Sequence, residues 1–152
     1  MSSERPPWTE LEPLGDQDMV FRLVRPGDYV HDAPEGTRLQ LSHMPTQRPP
    51  PSNRSYGPSV FAESKLANGL DDLQAAQPKW STWGVAKIPV GELRRVQMEG
   101  VQVDVRFSPQ DCEIPSVRHA HASLINVDRK ARNALVRLIE SYLIRPPDRP
   151  FV

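Results

Sequence analysis

Alternating apolar and polar residues predict several strands. Residues 101–107 alternate strictly, with Val101, Val103, Val105 and Phe107 on one side, which is typical of a strand with one buried face. Less regular apolar patterns predict strands at 19–24, 59–63, 83–90 and 118–127, and a short edge strand at 37–41.

Apolar residues at helical spacing predict helices in three places. The first helix is expected at 65–76, behind a Ser64 cap, and a short second one at 91–98. The last begins after an Asp128 cap and ends before Pro146. The residues at this spacing are Leu66, Leu70 and Leu73 in the first helix, and Ala131, Leu135, Leu138 and Tyr142 in the last.

The order of these elements determines the expected fold class. Strands and helices mingle without the strict strand–helix–strand repeat of a parallel sheet. We therefore expect an α+β fold with a small mixed or antiparallel sheet and two or three helices. The C-terminal helix should pack on the sheet.

Proline marks the boundaries of the domain. The chain holds 17 prolines among 152 residues, about twice average usage. We expect a polar N-terminal arm at 1–18, which is ordered only if Trp8 or Leu11 docks. One α+β domain follows at 19–145, with a long proline-rich loop at about 42–58 and an extended tail at 146–152.

Composition excludes several classes of protein. Nineteen basic residues balance nineteen acidic ones, which excludes a histone-like chain. No apolar run approaches the roughly 18 residues of a membrane span, and the first residues do not resemble a secretory signal. The single Cys112 excludes an internal disulfide and suits a reducing cytoplasm, where we expect the protein to be located.

His119 and His121 form the first candidate site. In a strand that covers both, residues two apart point to the same face, so the imidazoles would lie side by side and could bind a metal or act on phosphate. Further metal ligands could come from His31, His43, Asp32, Asp104 or Asp111. No spacing selects among them, so no metal site is assigned. The alternative is a polar strand face beneath the long loop.

Arginines supply the second set of candidates. Arg22 and Arg25 flank the end of the first strand, where they could clamp a phosphate or carboxylate, or simply pair with Asp28. The C-terminal region offers three more basic candidates for binding: Arg118, Arg129 and Arg132. Those of the last helix could approach nucleic acid phosphates or form an ordinary solvated face.

Tryptophan and proline supply the third set. Trp80 lies shortly before the fourth predicted strand and Trp83 begins it, at a place where indoles can pack on prolines or cover the core. Pro49, Pro50 and Pro51 favour an extended polyproline conformation, which suits a docking segment or a spacer. No sequence motif of covalent catalysis or phosphate binding is present.

Four segments together resemble the layout of short uncharacterised bacterial cytoplasmic proteins: MVFRLVRPGDYV, SVFAESKLANGL, WGVAKIPVGELR and RHAHASLI. The resemblance implies a prokaryotic origin. The first strand also resembles that of RES-type ADP-ribosyltransferase-like toxins, in which an arginine contacts NAD, and Arg22 is the matching residue. The acidic residue of that family's site has no match here.

Two functions follow as expectations. The first is a non-catalytic protein-binding module, without a cofactor, that serves a larger bacterial assembly such as a toxin–antitoxin or defence system. Other protein subunits would be its partners, through the loop at 42–58 and the termini. No membrane contact is expected, and the oligomeric state stays open.

The alternative is an enzyme or toxin that acts on a nucleotide or nucleic acid, with NAD or a metal ion as its cofactor. It would use His119, His121, Arg22 and Arg118, and it requires these side chains to converge in one pocket. A nucleic-acid-binding accessory protein is a third option.

Overall fold

The computed structural model describes residues 6–25, 29–33, 36–39 and 56–145. The strands are β1 (Met19–Val24), β2 (Tyr29–Ala33), β3 (Gly36–Leu39), β4 (Ser59–Ala62), β5 (Gly84–Pro89), β6 (Gln97–Met98), β7 (Val101–Gln102), β8 (Asp104–Phe107), β9 (His121–Ile125) and β10 (Leu143–Arg145). The helices in this part of the chain are α1 (Leu70–Ala76), α2 (Val90–Arg94) and α3 (Arg129–Ser141).

Antiparallel pairing organises the main sheet. Its strand order is β10-β5-β1-β4-β9-β8, and each neighbouring pair is antiparallel. Two small hairpins, β2–β3 and β6–β7, lie outside it. The α+β prediction is confirmed, with the antiparallel form of the sheet.

The sheet separates two apolar cores, because successive side chains of a strand point to opposite faces. Val20 and Val24 of β1 pack in the core that contains Leu135 of α3. Phe21 and Leu23 pack in the other core. The second core is covered by residues of α1 and of the turns: Leu73, Trp80, Cys112, Val117 and Ala120. The predicted packing of the C-terminal helix on the sheet is therefore confirmed.

Helix α3 begins where the sequence predicts. The Asp128 side chain accepts a hydrogen bond from the Ala131 backbone N–H at 2.8 Å, so Asp128 is the N-cap. Ala131 and Leu135 of the predicted stripe are buried, and Val136 and Ile139 are buried beside them. The chain then leaves the helix to form β10, an edge strand that the sequence pattern did not indicate.

The predicted helix at 65–76 is wrong in its first half. Glu63–Lys65 form a 3-10 turn, the chain becomes extended at Leu66, and α1 begins only after Gly69. Gly69 has a φ of 57°, a left-handed conformation that glycine adopts without strain and that interrupts a right-handed helix. Ser64 consequently does not cap α1.

The helix predicted at 91–98 and the continuous strand at 101–107 are also wrong in part. Helix α2 ends at Arg94, and β6 pairs with β7 as a tight hairpin. The turn is formed by Glu99 and Gly100, with φ values of 53° and 81°. This turn lifts Val101 away from the core, so that Val101 is 49% exposed while Val103 is buried.

Residues 12–14 lie along the outer edge of β8. The Phe107 N–H donates to the Glu12 carbonyl at 2.8 Å, and the Leu14 N–H donates to the Val105 carbonyl at 3.2 Å. The guanidinium of Arg106 lies over the Trp8 ring, 5.2 Å from its centroid. Residues 12–14 therefore extend the hydrogen bonding of the sheet beyond β8 by two backbone hydrogen bonds.

Candidate functional site

A cavity of about 670 Å³ opens on the second face of the sheet. It is formed at the end of β1, the start of β4, the start of β9 and two turns, Pro78–Thr82 and the stretch at 111–114. A volume in the range of about 300–1,000 Å³ is typical of small-molecule sites. This cavity is the candidate functional site.

Five of the residues selected from the sequence line this one cavity: Arg22, Arg25, Trp80, Trp83 and His121. They come from segments up to a hundred positions apart, and the antiparallel pairing of β1 with β4 and β5, and of β4 with β9, brings them together. The structure therefore brings two of the five arginine candidates and both tryptophans together with one of the two histidines.

The strand predicted at 118–127 is wrong at its first three and last two residues, because β9 covers only His121–Ile125. The expected pairing of the histidines fails at the first three. Arg118–Ala120 form a 3-10 turn, closed by a hydrogen bond from the Ala120 N–H to the Val117 carbonyl at 3.0 Å. His119 is exposed on this turn, and its Nε2 lies 2.7 Å from the Lys65 carbonyl. Residues two apart share a face only where both lie in a strand, and of the two histidines only His121 does.

The remaining candidates lie elsewhere. The Arg118 Nε donates to the Cys112 carbonyl at 2.8 Å, so this side chain supports the wall of the cavity without lining it. Arg129 and Arg132 belong to α3, which packs on the opposite face of the sheet. Pro49, Pro50 and Pro51 lie outside the described residues.

His121 lies at the centre of a hydrogen-bonded group of serines. Its Nδ1 is 2.9 Å from the Ser108 carbonyl and 3.1 Å from the Ser108 Oγ, and its Nε2 is 3.0 Å from the Ser59 Oγ. The Ser108 Oγ is in turn 2.6 Å from the Ser123 Oγ. His121 is only 3% exposed, and both of its ring nitrogens have partners.

Aromatic rings form the apolar wall beside His121. The Phe61 ring meets the His121 ring edge-on, with centroids 5.4 Å apart and an interplanar angle of 82°. Phe61 also contacts Trp80 at 5.6 Å, and Trp80 contacts Trp83 at 6.3 Å. The Arg145 guanidinium donates to the carbonyls of both tryptophans, which ties β10 to this wall.

Ser59, Phe61 and Lys79 also line the cavity, although the sequence did not single them out. Lys79 holds its Nζ 5.7 Å from the centroid of the Trp83 ring. Ser59 and Phe61 lie in a short segment whose apolar pattern predicts only a strand. Nothing in the sequence connected these two residues to His121.

Burial lowers the pKa of His121 below its ordinary value of 6.5, and the Ser108 carbonyl and the Asp111 carboxylate oppose only part of that shift. The imidazole is therefore neutral at pH 7. The unfolded chain binds a proton at this histidine more readily than the folded protein does. We expect the free energy of unfolding to fall as the pH drops below 6.5 and through the lower folded pKa.

Urea unfolding across this pH range would check the expectation. A His121→Gln variant should lose this part of the pH dependence, whereas His119→Gln should keep it. Superimposable pH profiles for the wild type and His121→Gln would contradict the assignment.

No protein-family model, curated protein or solved structure matches the chain. Among the described residues, no group of three or more His, Cys, Asp or Glu side chains is arranged to hold a metal ion. The described helices are all too short or too polar to cross a membrane.

Proposed function

We propose that the protein binds a nucleotide or a closely similar ligand, one that joins a planar ring to phosphate, in the cavity on the second face of the sheet. The observation that carries the proposal is the convergence of cationic side chains and an aromatic wall in a cavity of about 670 Å³. This proposal develops the nucleotide-directed alternative, with His121 and Arg22 but without His119.

The charged lining supports the phosphate part of the ligand. Arg22, Arg25 and Lys79 line the cavity together with Asp111 and Glu113, so that cations outnumber carboxylates. Arginine binds phosphate oxygens through two parallel N–H donors, and lysine adds a point charge. Since His121 is neutral, the positive charge comes from these three side chains.

The aromatic wall supports the ring. Phe61 and Trp80 are buried, whereas Trp83 is only partly buried and keeps a surface toward the cavity. A base that stacks on an exposed aromatic side chain gains about 1–3 kcal/mol. Lys79 beside the Trp83 ring would then place a positive charge next to the stacked base.

Calorimetric titration with AMP, ATP, NAD⁺, adenosine and inorganic phosphate tests the proposal. We expect at least one nucleotide to bind, more tightly than adenosine or phosphate alone, and more weakly as salt is added. Arg25→Ala should weaken binding about 10- to 100-fold, the effect of losing charge-assisted hydrogen bonds. Trp83→Leu should weaken it about 5- to 100-fold.

Arg129→Ala is the matched control, because it removes an exposed arginine from α3, on the other face of the sheet. It should leave the dissociation constant unchanged. Equal effects of Arg25→Ala and Arg129→Ala, or the absence of binding by every nucleotide, would refute the proposal.

The protein-binding function stays a prediction. It depends on Pro49, Pro50 and Pro51, which lie outside the described residues, and on partner subunits of a larger bacterial assembly. Co-purification of a defined partner that is lost when the three prolines are replaced by alanine would support it.

A further inference from the structure

Ser59 and His121 have the relative positions of a nucleophile and its general base in serine-dependent enzymes. The Ser59 Oγ is 3.0 Å from the His121 Nε2. The register of β4 and β9 sets Ser59 opposite Ser123 and Phe61 opposite His121, so that Ser59 and His121 are diagonal neighbours on one face. Both line the cavity, which gives a bound ligand access to the pair.

The hydrogen bonds of the imidazole determine which nitrogen carries the proton. The Nδ1 is 2.9 Å from the Ser108 carbonyl, and a carbonyl oxygen only accepts, so Nδ1 must donate. In the neutral ring, Nε2 then has the free lone pair and accepts from the Ser59 hydroxyl. The Ser108 backbone thus orients His121 in the tautomer that a general base for Ser59 requires.

A cation lies next to this pair. The Arg22 Nη1 donates to the Ser59 carbonyl at 2.8 Å, so that the guanidinium is anchored beside the residue that bears the hydroxyl. Arg25 and Lys79 line the same cavity. Positive charge fixed close to a nucleophile stabilises the negative charge that develops on phosphoryl oxygens during their transfer.

We propose that Ser59 is a catalytic nucleophile that attacks the phosphorus of a phosphate ester in the bound ligand, with His121 as its general base. The substrate class rests on the proposed function, whereas the geometry of the Ser59–His121 pair does not. The Ser59 Oγ forms a bond to phosphorus while the bond from phosphorus to the leaving oxygen breaks. The hydroxyl proton passes to the His121 Nε2 and then to the leaving group.

Water completes the cycle. A water molecule attacks the phosphorylated Ser59, His121 accepts its proton, and the bond from phosphorus to the Ser59 Oγ breaks. The proton returns to Ser59, so that the net reaction is hydrolysis of one phosphate ester bond. No oxidant, reductant or further co-reactant is needed.

The p-nitrophenyl ester of a nucleoside 5′-monophosphate is the substrate for the test, because release of p-nitrophenolate reports attack on phosphorus. We expect turnover by the wild type and a loss of at least about 100-fold in Ser59→Ala and in His121→Gln. Ser64→Ala removes an exposed serine outside the cavity and should retain full activity. Circular dichroism and thermal melting check that each variant is folded.

A second measurement does not depend on the variants. Mass spectrometry of wild-type protein treated with a fluorophosphonate should locate one adduct, on Ser59, formed as the P–F bond breaks and fluoride leaves. If the protein binds nucleotides but shows no turnover and forms no adduct on Ser59, the assignment of Ser59 as nucleophile is overturned and the proposed function is retained. An adduct on Ser59 in protein that binds no nucleotide would support the nucleophile and overturn the proposed function.

Discussion

Replacing Gly57 with alanine is expected to cost about 3 kcal/mol of stability or more, because it forces two backbone segments apart. A Cβ atom at this position would lie far inside van der Waals contact of the Leu124 carbonyl oxygen. Neither partner can rotate away, since Leu124 lies in β9 and its N–H donates to the Pro58 carbonyl at 2.9 Å. The clash would separate the entry to β4 from β9.

Urea unfolding monitored by circular dichroism would measure this loss. Gly69→Ala is the control: Gly69 has a φ of 57° and nothing within 4 Å of its Cβ position, so that alanine there adds backbone strain without a clash. We expect about 1–3 kcal/mol for that variant. A smaller loss of unfolding free energy in Gly57→Ala than in Gly69→Ala would contradict this prediction. It would show that β9 can move away from a side chain at position 57.

Leu135→Ala is expected to destabilise the protein by about 2–5 kcal/mol. Leu135 has no exposed surface and lies at the middle of α3, between the helix and the sheet. Its truncation removes buried methyl groups and leaves a cavity that packed neighbours on both layers cannot fill.

Leu138→Ala provides a matched comparison for this variant. Leu138 lies three residues further along the same helix but is only partly buried against the core. The same leucine-to-alanine change should therefore lower the free energy of unfolding clearly less at Leu138 than at Leu135. Equal losses of unfolding free energy in the two variants would contradict the packing of α3 that the structure shows.

The elements that the sequence predicted well carry strong local signals. Strand β1 was predicted at its observed bounds, and β5 to within a residue at each end, because apolar residues dominate both, with Arg22 and Lys87 as the charged residues within them. Helix α3 has an N-cap at Asp128 that acts within three residues. Where the signal is local, the pattern along the chain is sufficient.

The elements that were predicted wrongly depend on distant contacts or on turn chemistry. The strict alternation of 101–107 concealed the turn at Glu99 and Gly100, which exposes Val101. At 118–120 the pattern suited a strand, but the Arg118 side chain binds the Cys112 carbonyl and the backbone turns instead. The alternation of apolar and polar residues within one segment contains no information about either effect.

The candidate site was predicted by residue type but not by arrangement. Arg22 and His121 were selected because arginine and histidine suit phosphate chemistry, and they do line one cavity. Ser59 was not selected, because its contact with His121 exists only in the register that pairs Phe61 with His121. Register across strands sixty residues apart follows from tertiary packing, which the alternation of single strands does not encode.

The Pro13 segment on the outer side of β8 has a consequence for self-association. Exposed strand edges recruit strands from other molecules, and proteins block this with prolines and very short strands. Among the described residues, Pro13, which bridges Arg106, is the outermost position on this side and has no N–H to offer a further chain, while the opposite edge is the three-residue β10. The sheet thus ends on both sides in segments that are poor templates for aggregation, and deleting residues 6–15 would uncover the longer edge of β8.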